Sequence, residues 1–113
     1  MTKTLDLITI GRSSVDLYGV QIGGRLEDMG AFDKYIGGSP TNIACGTARL
    51  GLKSGVVTAV GDEHMGRFIK EQLAREGVST KGVKVDPDRL AALVLLGCLL
   101  YTSDAADEEE SVD

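Results

Sequence analysis

Apolar and polar positions change their period along this chain, and the changes divide it into short elements joined by glycines. Residues 5–10 are mainly apolar, rich in β-branched side chains and ended by Gly11, which predicts a strand buried on both faces and central in its sheet. Residues 17–22 and 32–36 alternate apolar with polar around a Gly23-Gly24 turn, the pattern of a small antiparallel ribbon with one face in water. Gly37-Gly38-Ser39-Pro40 then combines a flexible turn, a capping serine and a proline at the first helical position. The helix so started runs to Leu50, stops at Gly51, and offers Ile43, Ala44, Thr47, Ala48 and Leu50 as its inner face. Residues 54–60 predict a second buried strand. Asp62 is placed to cap a second helix, in which Met65, Phe68, Ile69 and Leu73 keep helical spacing up to Gly77. Residues 83–85 suit a further short strand.

Strand, helix, strand, helix in this order predicts an α/β fold: a parallel sheet with right-handed crossovers, flanked by helices. Ligands of such sheets bind at the carboxyl ends of strands. The turns after Ile10 and Ile36, with residues 61–66, are therefore where chemistry is expected.

Composition narrows the function classes. Hydrophobic residues make up 42 % of the 113 positions and charged residues 26 %, a globular balance. The net charge of −5 comes from the tail, since six of the 17 acids lie in the last ten residues and leave 11 against 12 Lys and Arg. With neither a basic nor an acidic field over the rest, a nucleic-acid partner is not expected. Cys45 and Cys98 are too few for a disulfide framework or a thiolate metal site. Residues 7–10 are too short for a signal-peptide core and residues 90–101 too short for a membrane span, so no membrane partner is expected and the cytoplasm is the expected compartment. From Cys98 the chain resembles the translation of a transposon-end adapter, which makes 98–113 a foreign, disordered tail; the other reading is a natural acidic tail.

Two segments carry candidate chemistry. In Gly37-Gly38-Ser39-Pro40-Thr41-Asn42 the glycines admit a ligand to the backbone, the helix start offers N–H groups, and the Asn42 amide both donates and accepts, as a sugar hydroxyl does. The plain alternative is a turn and a helix cap. In Gly11-Arg12-Ser13-Ser14-Val15-Asp16 the Asp16 carboxylate can accept from two neighbouring hydroxyls, with Ser14 pointing the same way; the plain alternative is an Asx-type turn. Arg12 is either a surface ion-pair partner or a bidentate holder of a substrate carboxylate. His64 stands alone and reads as an exposed helix residue, Cys45 as packing, and the pairs Glu27-Asp28 and Asp62-Glu63 as solvated turns or caps. No metal site is expected. No Walker A or dinucleotide glycine motif is present.

Gly37-Gly38-Ser39-Pro40-Thr41-Asn42-Ile43-Ala44, with Gly51 and Gly61 at their separations, resembles the first signature of the PfkB, or ribokinase-like, carbohydrate kinases. Gly61-Asp62-x-x-x-Gly66 and Gly11-x-x-x-x-Asp16 are similar to that family's neighbouring elements. The resemblance implies that residues 1–97 are the amino-terminal segment of a kinase domain, with residues 17–36 as part of a small β-lid. It implies that Asp16, Gly38 and Asn42, beside Gly37, contact sugar hydroxyls. Residues 11–18, 34–44 and 48–53 look most like the branch that phosphorylates a six-carbon sugar acid, 5-dehydro-2-deoxygluconate, in inositol catabolism. Such a substrate gives Arg12 a carboxylate to hold. Ribokinases have Asn at the position of Ser14 and Lys at that of Ser39, which argues against ribose. The family's cofactors, ATP and Mg²⁺, its anion-binding turn and its aspartate base belong to a part of the family sequence that is not matched here, so no residue is assigned as catalytic. The resemblance also implies a homodimer formed through the lid. The competing readings are another sugar of the family, a Rossmann-like nucleotide module, which needs the Gly37-Gly38 turn directly after a central strand, or an autonomous structural domain; partial folding is expected instead, because the parallel sheet has an uncovered edge.

Overall fold

The elements follow the chain as β1 (Leu7–Ile10), β2 (Ser14–Gly19), a 3₁₀ turn (Leu26–Asp28), β3 (Phe32–Gly37), α1 (Ser39–Arg49), β4 (Ser54–Gly61), α2 (His64–Arg75), β5 (Val83–Asp86) and β6 (Ala92–Leu96). The computed structural model describes residues 4–97; the foreign-tail reading of 98–113, Cys98 included, falls outside the described residues. Two compact units result, one of residues up to Val15 with Ile36–Val94, the other of Asp16–Tyr35 with the stretch from Leu95.

The first unit is built on β4. It pairs in parallel with β1, Leu7 beside Ser54 and Ile10 beside Val57, and with β5, Thr58 beside Val83 and Gly61 beside Asp86. Both helices pack on one face of this sheet, where Val56, Val60 and Val83 meet Ala44, Ile69, Leu73 and Val78 in the core. Burying each large branched side chain contributes roughly 1.5–3 kcal/mol. Two hydroxyl bridges fasten α1 to the sheet: Thr9 Oγ1 donates to the Pro40 carbonyl (2.8 Å), and Thr47 Oγ1 pairs with Ser54 Oγ (2.6 Å). The predicted α/β class and parallel crossovers are therefore present, as is the strand over 83–86.

Burial of β1 differs from the expectation. Among the described residues it is an edge strand, and Ile8 and Ile10 are 55 % and 76 % exposed, with Val57 on the same face at 42 %. An apolar run predicts a strand with two apolar faces. It does not say what covers them, and here no described helix lies on that side.

Helix boundaries also shift. Gly38, not Ser39, is the cap of α1, and Ser39 is already helical with no side-chain cap bond. Glu63, not Asp62, caps α2. Of the expected inner face of α1, Ala44 is buried and Thr47 and Ala48 are half-buried, Thr41 joins them, and Ile43 and Leu50 are exposed. The glycine stops hold, Gly51 and Gly77 both having positive φ. No helix among the described residues is long and apolar enough to cross a membrane.

In the second sheet the strand order is β3-β2-β6. The expected ribbon is there, but β2 begins three residues earlier than the alternation suggests and β6 adds a strand that the ribbon reading did not include. Within the second unit, the Val20 N–H donates to the Ala31 carbonyl (3.2 Å) and the Tyr18 and Tyr35 rings meet edge to face at 5.5 Å. Arg25 forks onto Asp28 across the 3₁₀ turn at 2.7 and 2.9 Å. Glu27 and Asp28 are thus an exposed turn, as read.

Candidate sugar-binding site

The loop after β1 lies against the amino end of α1. Gly11 sits beside the Pro40 ring, the Arg12 carbonyl faces the Gly38 Cα, and Ser13 Oγ pairs with Thr41 Oγ1 at 2.6 Å in a buried contact. Gly38 makes this approach possible. Its φ is +102°, and a Cβ there would overlap the Arg12 carbonyl oxygen, so only glycine fits both the backbone and the space. Asn42 donates its N–H to the Gly38 carbonyl (2.9 Å), the first bond of the helix, and its side chain stands exposed in the first turn.

Within the first unit the backbone of Arg12 and Ser13 thus lies against Gly38 and Thr41, with Gly37 and Asn42 next to these in the chain. Arg12 is exposed and has no salt-bridge partner among the described residues. No surface ion pair of this arginine is found among the described residues. Ser14 is the first residue of β2 and is buried. Asp16 follows two residues later on the same strand face and belongs to the second unit. The Ser13–Thr41 hydroxyl pair was missed by sequence reasoning. Its partners lie 28 residues apart and no periodicity marks them; only the meeting of two turns creates the contact.

The Rossmann-like reading required the glycine pair directly after a central strand. Instead it follows β3, which lies in the second sheet and pairs with neither β1, β4 nor β5. A hollow of about 440 Å³ lies elsewhere, on the bare face of the parallel sheet between Leu5, Ile8, Gly55, Val57 and Gly82. Its walls are mostly apolar and it reaches the amino ends of the strands, opposite to where parallel sheets bind ligands. The glycine turn is the better candidate.

Other reactive groups fall out of consideration. Burial pushes the Cys45 thiol up, Glu76 adds to this and Arg49 partly offsets it, so the group stays protonated and unreactive at neutral pH. His64 is exposed at the start of α2. No three His, Cys, Asp or Glu side chains converge to hold a metal ion among the described residues, so none of them is assigned to Mg²⁺. Glu63 is a carboxylate held by three backbone N–H groups. Oε1 accepts from the Met65 and Gly66 N–H groups (2.7 and 3.2 Å) and Oε2 from the Ala91 N–H (2.7 Å). The Ala91 bond is the main reason its carboxyl lies below the usual glutamate range, with desolvation opposing and the other two bonds and His64 assisting.

Residues 4–98 match the family model described as pfkB family carbohydrate kinase. The chain belongs to that family. Within it, the chain is 40 % identical over 114 aligned positions to the 5-dehydro-2-deoxygluconokinase of Bacillus subtilis (strain 168), covering 93 % of this chain and 35 % of that protein. The enzyme of the same name from Geobacillus thermodenitrificans (strain NG80-2) is 46 % identical over 84 positions, 74 % of this chain and 25 % of the relative. Among solved structures, a sugar kinase of Pyrococcus horikoshii in complex with ATP superposes with a TM-score of 0.77 at 35 % identity, over 80 % of this chain and 30 % of that one. The fructokinase of Halothermothrix orenii gives 0.76 at 28 %, over 82 % and 34 %. This pfkB-family chain spans about a third of the length of the curated relatives it matches.

Proposed function

We propose that the complete protein is an ATP-dependent kinase of the cytoplasm that phosphorylates a hydroxyl of a six-carbon sugar acid, 5-dehydro-2-deoxygluconate, in inositol catabolism. This chain supplies sugar positioning, with residues 17–36 as part of a lid. Asp16, Gly37, Gly38 and Asn42 hold hydroxyls with Ser14, and Arg12 holds the carboxylate. The observation that carries this reading is the seating of the 11–13 loop on the amino end of α1, which sets an exposed arginine and an exposed amide beside a glycine pair. The similarity to 5-dehydro-2-deoxygluconokinases supports the choice of sugar. Phosphoryl transfer depends mainly on positioning and on stabilising the charge of the transferred group. ATP and Mg²⁺ bind to the complete enzyme. A second copy covering the exposed Tyr18, Val20 and Tyr35 would make the homodimer.

A panel of sugars offered to the complete enzyme tests the reading: 5-dehydro-2-deoxygluconate should give the highest kcat/KM, and a preference for fructose, ribose or 2-keto-3-deoxygluconate would replace it. The 113-residue chain alone is expected to show no ATP turnover above background in a coupled assay, and turnover would contradict the division of labour. Arg12→Gln in the complete enzyme removes a charge-assisted bidentate contact. The KM for the sugar acid should rise about 30- to 150-fold, from roughly 2–3 kcal/mol of lost interaction, with neutral sugars unaffected. An equal loss on neutral sugars would return Arg12 to a structural role.

A further inference from the structure

We infer that Glu63 is a positioning residue for the sugar side of the site, acting through β6. Its carboxylate ties two separate backbones together. One oxygen caps α2 through Met65 and Gly66, and the other holds the Ala91 N–H, the residue immediately before β6. β6 is the hydrogen-bonded neighbour of β2, the strand whose first residue is Ser14.

The residue type argues for the tie. Helix caps favour Ser, Thr, Asp and Asn, whose short side chains reach the N2 or N3 amide. Glutamate is a poor choice for capping alone, and its extra methylene is what spans to Ala91. The neighbourhood is shaped for it as well. A Cβ at Gly61 would strike Glu63 Oε2 and approach the Arg89 carbonyl at 2.6 Å and the Ala91 nitrogen at 2.7 Å. Glycine at 61 leaves the room in which carboxylate and strand entry meet. The inference rests on the sugar-site reading for its functional half, while the tie itself stands on these contacts.

Shortening the side chain separates the two jobs. Glu63→Asp keeps a good cap and cannot reach Ala91; Ala91→Pro removes the donor and leaves Glu63 intact. In the 113-residue chain without ligand, amide hydrogen exchange at Ala91 in Glu63→Asp, and over 92–96 in both variants, should quicken about 10- to 100-fold, while the Met65 and Gly66 amides keep their protection. In the complete enzyme the same variants should raise the KM for the sugar several-fold and leave kcat and the KM for ATP unchanged. The inference is overturned by an Ala91 amide that exchanges at the free-peptide rate in the unaltered chain, by equal loss of protection at 65–66, or by quickened exchange with no change in sugar KM. A wrong sugar-site reading shows itself separately, as failure of the unaltered enzyme to phosphorylate the sugar acid with the exchange results intact.

Discussion

Alanine at position 38 is expected to destabilise the first unit by about 3 kcal/mol or more and, on the proposed reading, to abolish sugar binding with it. A non-glycine residue held in this sparsely populated region of positive φ costs of order 1–3 kcal/mol, and Gly38 sits at φ +102° and ψ 137°. The added methyl also meets the Arg12 carbonyl, a backbone atom that cannot swing aside as a side-chain tip would. Relief requires moving the 11–13 loop, which breaks the Ser13–Thr41 hydroxyl pair and leaves two buried hydroxyls short of partners, about 1–3 kcal/mol each. Urea unfolding of the chain reads the effect as a lower midpoint with unchanged slope. An alanine variant as stable as the parent would show that the close approach of loop and helix does not hold in solution.

The second large effect concerns the sugar itself. On the proposed reading, Asp16→Asn and Asn42→Ala should each weaken sugar binding in the complete enzyme by about 2–4 kcal/mol, a roughly 30- to 1,000-fold rise in KM, since each removes hydrogen bonds of which one set is charge-assisted. Asn42 is exposed and Asp16 half-buried, so neither change removes core packing, and the folded fraction should stay near that of the parent. Isothermal titration with the sugar separates the effect from the one at Gly38, where both folding and binding fall. Sugar affinity within twofold of the parent in both variants would remove these residues from the site.

Much of this arrangement is legible in the residues before any coordinates. Periodicity locates β4, α1, α2 and β5 because each keeps one apolar face over two or more turns or a full strand, and the glycines at 51 and 77 mark where the helices stop. The order of elements then points to the turn after β1 and to the start of α1, and these two segments do touch, through Arg12 on Gly38 and Ser13 on Thr41. What could not be read is everything decided by distant neighbours. Leu7–Ile10 has the composition of a doubly covered strand, yet the covering of its second face depends on elements elsewhere in space. Local rules favour Asp62 over Glu63 as the cap, yet Glu63 caps α2, and its longer side chain also reaches Ala91, 28 residues away. Ser39 loses the cap position to Gly38, whose positive φ and close approach to the Arg12 carbonyl suit only glycine. Asp16 was grouped with Asn42 by chemistry alone, and the two residues belong to different units.

The packing of Gly66 on Gly61 bears on how a kinase of this kind can be re-engineered. A methyl group at 66 would overlap the Gly61 carbonyl oxygen, so the spacing of these two residues answers to volume. Motifs of that sort identify a scaffold and stay silent about its cargo. On the proposed reading, library diversification aimed at a new polyol has most to gain at 12, 16 and 42, and should leave the 61–66 stretch untouched.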